Sequence, residues 1–392
     1  MIRVGLARTG DPLVERMRGF GTTIFAEMSA LAVATESVNL GQGFPDVDGP
    51  AEMLEAAVAA IRDGRHNQYP PGPGLPELRR AIAEHQRRFY DLHYDSDAEV
   101  LVTAGATEAI AAALLALVGP GDEVVTFEPY YDSYAASIAL SGARRRVVTL
   151  RRQTYGWGFD PTELRGAVNE RTRVLLLNSP HNPTGKVFDA AELRLIADLA
   201  LEHDLTVVTD EVYEHLVFDG THIPLATLPG MRDRTVTISS AGKTFSVTGW
   251  KIGWVCAAPP LVTAVRTVKQ FLTYVNGGPF QPAVATALGF DDAYYAGIAD
   301  ALRGQRDVLC AGLLTRGFDV VVPAGTYFAT ADVGGDAVQF CRDLPVRHRV
   351  VAVPSSVFYD GDAGGHYVRF AFCKQVPVLE EALRRLDVEA AG

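Results

Sequence analysis

Apolar positions along the chain fall into two rhythms. Met53–Asp63 (MLEAAVAAIRD) and Pro76–Tyr90 (PELRRAIAEHQRRFY) carry helical spacing, the second opening on a proline suited to a first helical turn. Short apolar runs then alternate with helical ones. Strands are expected at Glu99–Thr103, Glu123–Phe127, Arg145–Leu150, Arg173–Asn178, Thr206–Asp210, Thr235–Ser240 and Ile252–Ala258. Helices are expected at Thr107–Val118, Tyr131–Leu140 and Glu192–Asp204. This alternation predicts an α/β fold with a mostly parallel sheet covered by helices on both faces. After about residue 290 a long helix around Tyr294–Leu314 is followed by short strands and Gly-rich turns, the pattern of a smaller α+β domain. The expected division is 45–288 for the large domain, with 1–44 and 289–392 together forming the small one. The apolar stretch Ile24–Ala34 is expected to pack against the small domain or cross the cleft mouth.

In a parallel sheet, ligands gather at the carboxyl ends of the strands. The loops that follow the expected strands are TAGATE, FEPYYD, NSPHNPTG, TDEVYE and SSAGK, all rich in Gly, Pro, Ser, Thr, Asn or Asp. Such loops are meaningful as a set, where any one alone is a common turn.

Composition narrows the classes. The 392 residues are 48% hydrophobic and 21% charged, a globular profile. Cys256, Cys310, Cys341 and Cys373 are scattered, with neither disulfide nor metal-ligand spacing, so four reduced thiols and no metal are expected. The first residues, MIRVGLARTGDPLVERM, are charged throughout and do not read as a signal peptide, and no run of about 18 apolar residues marks a membrane span. A cytoplasmic enzyme is the expectation. The net charge of −11 argues against nucleic-acid or acidic-membrane partners. The basic cluster Arg144, Arg145, Arg146, Arg151 and Arg152 is accordingly read as a solvated strand edge.

SSAGKTFSVTGWKIGW, from Ser239 to Trp254, sets Lys243 and Lys251 among small and apolar neighbours with no acid in the stretch. A buried unpaired lysine is costly, so each needs a partner from elsewhere. Gly105, Ala106 and Thr107 open a helix, whose N-terminal N–H groups suit a phosphate, although a strand–Gly–helix junction is often only a tight turn. Ser240 adds a hydroxyl and Lys251 a cation. Asp210 ends an apolar strand and needs a positive or hydrogen-bonding partner there, unless it merely caps the next helix. Tyr130 offers an aromatic face, while Tyr213 and Asn182 offer donors for a phenolate oxygen. Arg369, in the apolar HYVRFAF, suits a carboxylate in bidentate fashion, and an intramolecular salt bridge is the plainer alternative. A ligand with a phosphate, a pyridine nitrogen, a phenolic oxygen and an aldehyde answers the whole set. That ligand is pyridoxal 5′-phosphate, with Lys243 as the candidate for the Schiff base.

On these motifs, together with VNLGQGFPDVDGP and NQYPPGPG, nearly the whole chain resembles the class I/II aminotransferases of fold type I, in the kynurenine/glutamine aminotransferase branch. Runs such as TTIFAEMSALA and DEVYEHLVFD are most similar to actinobacterial N-succinyldiaminopimelate aminotransferases. The resemblance implies that Lys243 carries the cofactor and moves the substrate proton, and that Asp210 keeps the pyridine nitrogen protonated. It implies Tyr213 and Asn182 at the ring oxygen, Tyr130 stacked on the ring, and Gly105, Ala106, Thr107, Ser240 and Lys251 at the phosphate. Arg369 is implied to clamp the substrate α-carboxylate beside Gly43. Tyr69 is implied to reach the phosphate of a neighbouring subunit, which makes the chain a homodimer with active sites at the subunit interface.

Relatives acting on aromatic amino acids often carry an aromatic at the position of Thr107, and a Phe-His pair where this chain has Tyr274-Val275. The difference favours a long, polar substrate. The expected reaction exchanges an amino group between N-succinyl-LL-2,6-diaminopimelate and 2-oxoglutarate/glutamate. A broad kynurenine/glutamine/methionine-type aminotransferase and a cysteine-S-conjugate β-lyase remain as alternatives. A regulator with a DNA-binding domain is not expected, since GQGFP begins at Gly41 and the net charge is acidic.

Overall fold

The runs read as strands all enter one seven-stranded sheet. In the computed structural model, which describes residues 12–21 and 24–386, its order from one edge is Val100–Thr103, Gly253–Cys256, Thr235–Ser240, Thr206–Asp210, Thr172–Asn178, Glu123–Glu128 and Arg144–Thr149. Only Gly253–Cys256 runs antiparallel to its neighbours. Every residue of Val100–Thr103, Glu123–Glu128 and Thr235–Ser240 is buried, the alternating threonines and serine of the last strand included.

Successive residues feed opposite faces, as a pleated strand requires. Val124, Val174 and Val208 pack under helices Gly105–Leu117, Asp132–Ser141 and Pro259–Lys269 on one side. Val125, Leu175 and Val207 pack with Leu193 and Ile196 of helix Ala190–Glu202 on the other. That helix starts on a capping box, Asp189 accepting from the Glu192 N–H while Glu192 reaches back to the Asp189 N–H.

The arginine cluster lies on and just beyond the edge strand, each of four members facing an acid: Arg145 with Asp360, Arg146 with Glu123, Arg151 with Glu163 and Arg152 with Asp319. All four cysteines are buried and free. Among the described residues no helix is long and apolar enough to cross a membrane.

A four-stranded antiparallel sheet, Asp319–Val321, Phe328–Asp332, Tyr367–Ala371 and Val353–Pro354 in spatial order, packs with the long helix Asp292–Thr315. Helix Ile24–Ala34 joins this second core through Met28 and Ala32, and Val38–Asn39 pairs in parallel with Val350–Val351. The segments that precede and follow the large sheet are thereby fastened to each other.

Where helix Pro76–Tyr90 crosses the loop after Asp210, His85 Nε2 and His215 Nε2 lie 2.7 Å apart beside Glu214. Two imidazoles on one tetrahedral zinc would stand roughly 3.3 Å apart, given Zn–N bonds of about 2.0–2.1 Å, so the contact is a hydrogen bond between neutral rings. Burial pushes the His85 pKa down to about 3 and that of His215 well below the usual imidazole range, and pushes Glu214 up to about 7. The unfolded chain takes up the histidine protons from about pH 6.5 downward while the folded chain refuses them, so these rings make stability fall with acidification. Glu214, neutral in the fold and ionised when unfolded, acts in the opposite sense. Comparing wild type with His85→Gln isolates one ring. Denaturant melts should show the wild type losing about 1.4 kcal/mol per pH unit relative to the variant between pH 6 and 4; parallel profiles would refute a neutral His85.

Candidate active site

Strand register aligns the loops noted in the sequence. Asn178 pairs with Asp210, and Gly253 pairs with both Ser240 and Thr103; because Asp210 pairs with Ile238, the two groups of strand ends lie two residues apart along the same edge. The short helix Ala241–Thr244 then lifts Lys243 over that edge. A Cβ at Gly253 would sit 2.5 Å from the Gly105 carbonyl carbon, so only glycine lets the first turn of helix Gly105–Leu117 come this close.

The edge forms one wall of a cavity of about 460 Å³. Lys243, Asp210, Tyr213, Asn182 and Arg369 line it. Gly105, Ala106, Thr107, Ser240 and Lys251 form its far end, and Gly43 its rim. Lys251 holds a left-handed backbone (φ 54°), and a Cβ built on Gly105 would come 3.3 Å from Lys251 Nζ. A helix N-terminus, two hydroxyls and an ammonium therefore converge there, the donor set of an anion site.

The buried charges are differently placed. Lys243 Nζ donates to Tyr327 Oη at 2.8 Å, and burial lowers its pKa to about 8 against the opposing pull of Cys373 and Asp210. Burial raises Asp210 to about 6, while Tyr134 Oη, donating to Oδ2 at 2.6 Å, draws it back toward the ionised form. The alternative for Asp210, a helix cap, is not what forms: no helix follows it, and the Val212 N–H lies 3.4 Å from Oδ1. Asn178 holds this corner, its Nδ2 donating to the Asp210 carbonyl and its Oδ1 accepting from the Asn182 N–H.

Arg369 is 2% exposed. Nη1 donates to Asn182 Oδ1 at 3.1 Å and Nη2 to the Gly41 carbonyl at 2.9 Å, while Nε has no partner among the described residues. The rings of Phe328, Phe358 and Phe25 surround the guanidinium at 4.0, 4.9 and 5.2 Å, and burial lowers its pKa to about 10. The salt bridge that was the plainer alternative is absent among the described residues. Because a guanidinium only donates, Asn182 must turn its oxygen to Arg369, which leaves its amide N–H groups for other acceptors.

One expectation is corrected. Tyr130 does not line the cavity; Tyr131 does. The Tyr130 hydroxyl goes to Asp360, its ring lies under Arg145 at 5.1 Å, and its N–H is fastened to the Phe358 carbonyl. Tyr69 and Tyr274 also lie outside this chain's cavity, on the surface, 5.5 Å apart ring to ring. Tyr134, Asn178 and Tyr327 were missed. The helical spacing of Asp132–Ser141 carried a signal for Tyr134, whose one-turn offset from Tyr131 keeps both on the same side.

A family model for aminotransferase classes I and II matches residues 35–386. The chain belongs to this family. Like other class I and II aminotransferases it is a pyridoxal-phosphate-dependent transaminase. A probable N-succinyldiaminopimelate aminotransferase, DapC, of Mycobacterium tuberculosis is 54% identical over 391 residues, covering 96% of this chain and 98% of its own. The methionine aminotransferase of Escherichia coli is 39% identical over 385 residues, covering 96% and 99%. The solved structure of the N-succinyldiaminopimelate aminotransferase from Mycobacterium tuberculosis superposes with a TM-score of 0.94 at 55% identity, covering 96% of this chain and 99% of that one.

The donor from Tyr134 supplies a direct test of how this aminotransferase holds Asp210. In cofactor-free protein with carbon-13-labelled aspartate, Tyr134→Phe should raise the Asp210 titration by about one pH unit, the loss of one hydrogen bond to a charged group. An unchanged titration would rule the bond out.

Proposed function

We propose that the chain exchanges an amino group between N-succinyl-LL-2,6-diaminopimelate and 2-oxoglutarate/glutamate, working in the cytoplasm as a homodimer with its cofactor joined to Lys243. The observation that carries the chemistry is Arg369: a 2%-exposed cation with no carboxylate partner among the described residues, in the same cavity as Lys243. Such a charge is costly unless a substrate anion completes it. The substrate pair is supported by the 54% identity to the probable N-succinyldiaminopimelate aminotransferase.

The residues present fit pyridoxal phosphate. Lys251, Ser240, Thr107 and the first turn of helix Gly105–Leu117 would hold the phosphate dianion, Asp210 the pyridine nitrogen, and Tyr213 with the Asn182 amide the ring oxygen. Tyr131 supplies an aromatic wall in the place first given to Tyr130. When bound, the cofactor supplies an aldehyde for the amino group and a ring that takes up the electron pair left at the substrate Cα. Lys243 Nζ takes the proton from Cα and returns it, and its pKa of about 8 keeps a neutral fraction at neutral pH. An ionised Asp210 keeps a proton on the pyridine nitrogen. Arg369 orients the α-carboxylate, and Phe25 and Phe328 keep water from the reacting carbon.

Tyr69 is 81% exposed, Phe271 83% and Tyr274 50%, an aromatic patch of the kind that a second copy covers. Residues that serve a neighbouring subunit's site must be exposed in the single chain, as Tyr69 and Tyr274 are. A methionine-type specificity is the second reading, favoured by the 39% relative.

A half-reaction screen separates these readings. Candidate amino acids are added one at a time to holoenzyme, and loss of the visible band of the lysine-bound cofactor is followed. Glutamate and N-succinyl-diaminopimelate should react fastest; if the succinylated pair is turned over no better than phenylpyruvate or kynurenine, the substrate assignment fails. Pyruvate and ammonia released without an oxo-acid acceptor would mark a β-lyase instead. Lys243→Ala should abolish both the band and turnover. Lys251→Ala should instead weaken cofactor retention about tenfold to a hundredfold, as expected for one lost charged hydrogen bond.

A further inference from the structure

Tyr327 is fully buried next to the catalytic amine, and no cofactor or substrate role is needed to explain it. Its hydroxyl lies 2.6 Å from the Gly43 carbonyl and 2.8 Å from Lys243 Nζ, with the Tyr213 hydroxyl as a third hydrogen-bonding neighbour. A phenol has one proton, and a carbonyl can only accept. The proton is therefore committed to Gly43, and toward Lys243 the Tyr327 oxygen can only accept.

The position of the ring adds a direction. Lys243 lines both the main cavity and a second one of about 250 Å³ behind it, whereas Tyr327 lines only the second. The hydrogen bond thus holds Nζ at the partition between them. Resting on the reading of Lys243 as the reactive amine, we infer that Tyr327 is a positioning residue that holds the free Lys243 amine as an obligate donor and ties it to the rim loop at Gly43. The orientation follows from the committed proton. One N–H of Lys243 always points at Tyr327, and the lone pair of the neutral amine is left unoccupied by that hydroxyl. A hydroxyl free to rotate would instead donate to the neutral amine and occupy that lone pair.

Other groups also face these two. Cys373, Asp210, Arg369 and Lys251 act electrostatically on Lys243, and Tyr213, Cys373 and Arg369 on Tyr327, with the Tyr213 ring edge-on to Tyr327 at 5.1 Å. None of the charged members is within the hydrogen-bond contacts of Lys243 Nζ, whose one such partner among the described residues is Tyr327. An accepted hydrogen bond favours the ammonium over the neutral amine, so deleting the acceptor must move Lys243 to lower pH.

The test uses cofactor-free protein, which separates positioning from turnover. Methylation of Lys243 by formaldehyde and cyanoborohydride is followed against pH by peptide mass. Tyr327→Phe should lower the midpoint by about one pH unit; an unchanged midpoint in the folded variant overturns the assignment. A second measurement does not depend on that variant folding. With 3-fluorotyrosine at position 327, the fluorine resonance should titrate at the Lys243 midpoint and stop titrating in Lys243→Met. A resonance indifferent to Lys243 overturns it equally. The cofactor reading fails by a different result: borohydride reduction of holoenzyme that leaves the cofactor on another lysine.

Discussion

Arg369 carries its charge almost out of water, between three phenyl rings, and the groups that hold it come from distant parts of the chain. The Gly41 carbonyl arrives from the N-terminal segment and Asn182 from a loop of the large sheet, while Arg369 itself stands on a strand of the small sheet. A guanidinium so placed is tolerable only if its geometry is fixed and its remaining valence is reserved for an anion. The pairing of Val38–Asn39 with Val350–Val351 sets Gly41 in place, and the Asn178–Asp210 register sets Asn182 in place. Much of the architecture is the framework for one buried charge that has no direct ion pair among the described residues and only the more distant Asp132 carboxylate acting on it.

Around it the protein uses burial as its main means of adjusting reactivity. The same loss of water lowers Lys243 and raises Asp210, bringing an amine and a carboxyl with widely separated ordinary values to within about two units of each other. Neutral hydroxyls then correct each one: Tyr134 pulls Asp210 toward its ionised form, and Tyr327 gives Lys243 an acceptor. Phenols serve here because they hydrogen-bond without adding a formal charge to a space that already holds three cations and two acids.

The seven strands of the main sheet were legible because each is a short run rich in β-branched and apolar residues bounded by turn residues, and the site loops because they begin where those runs end. Lys243 and Arg369 stood out as charges in apolar surroundings. What sequence could not resolve was direction. Tyr130 and Tyr131 are adjacent and chemically identical, and the choice between them depends on Asp360 and Phe358, more than two hundred residues away, which hold Tyr130. Tyr134, Asn178 and Tyr327 escaped for a related reason. Each touches a charged residue's neighbourhood rather than being charged, and buried tyrosines and asparagines are common for purely structural ends. Tyr69 and Tyr274 read as site residues in sequence and as surface in a single chain.

The pairing of Val38–Asn39 with Val350–Val351 bears on how the protein comes into being. Gly41 precedes the large sheet in the chain and Arg369 follows it, so during synthesis the large sheet can assemble while the pocket still lacks its anchor for an anion. A growing or prematurely stopped chain would therefore carry Lys243, the most reactive group, without the means to orient an amino acid beside it. Competence arrives at one late moment, when the last strand of the small sheet docks.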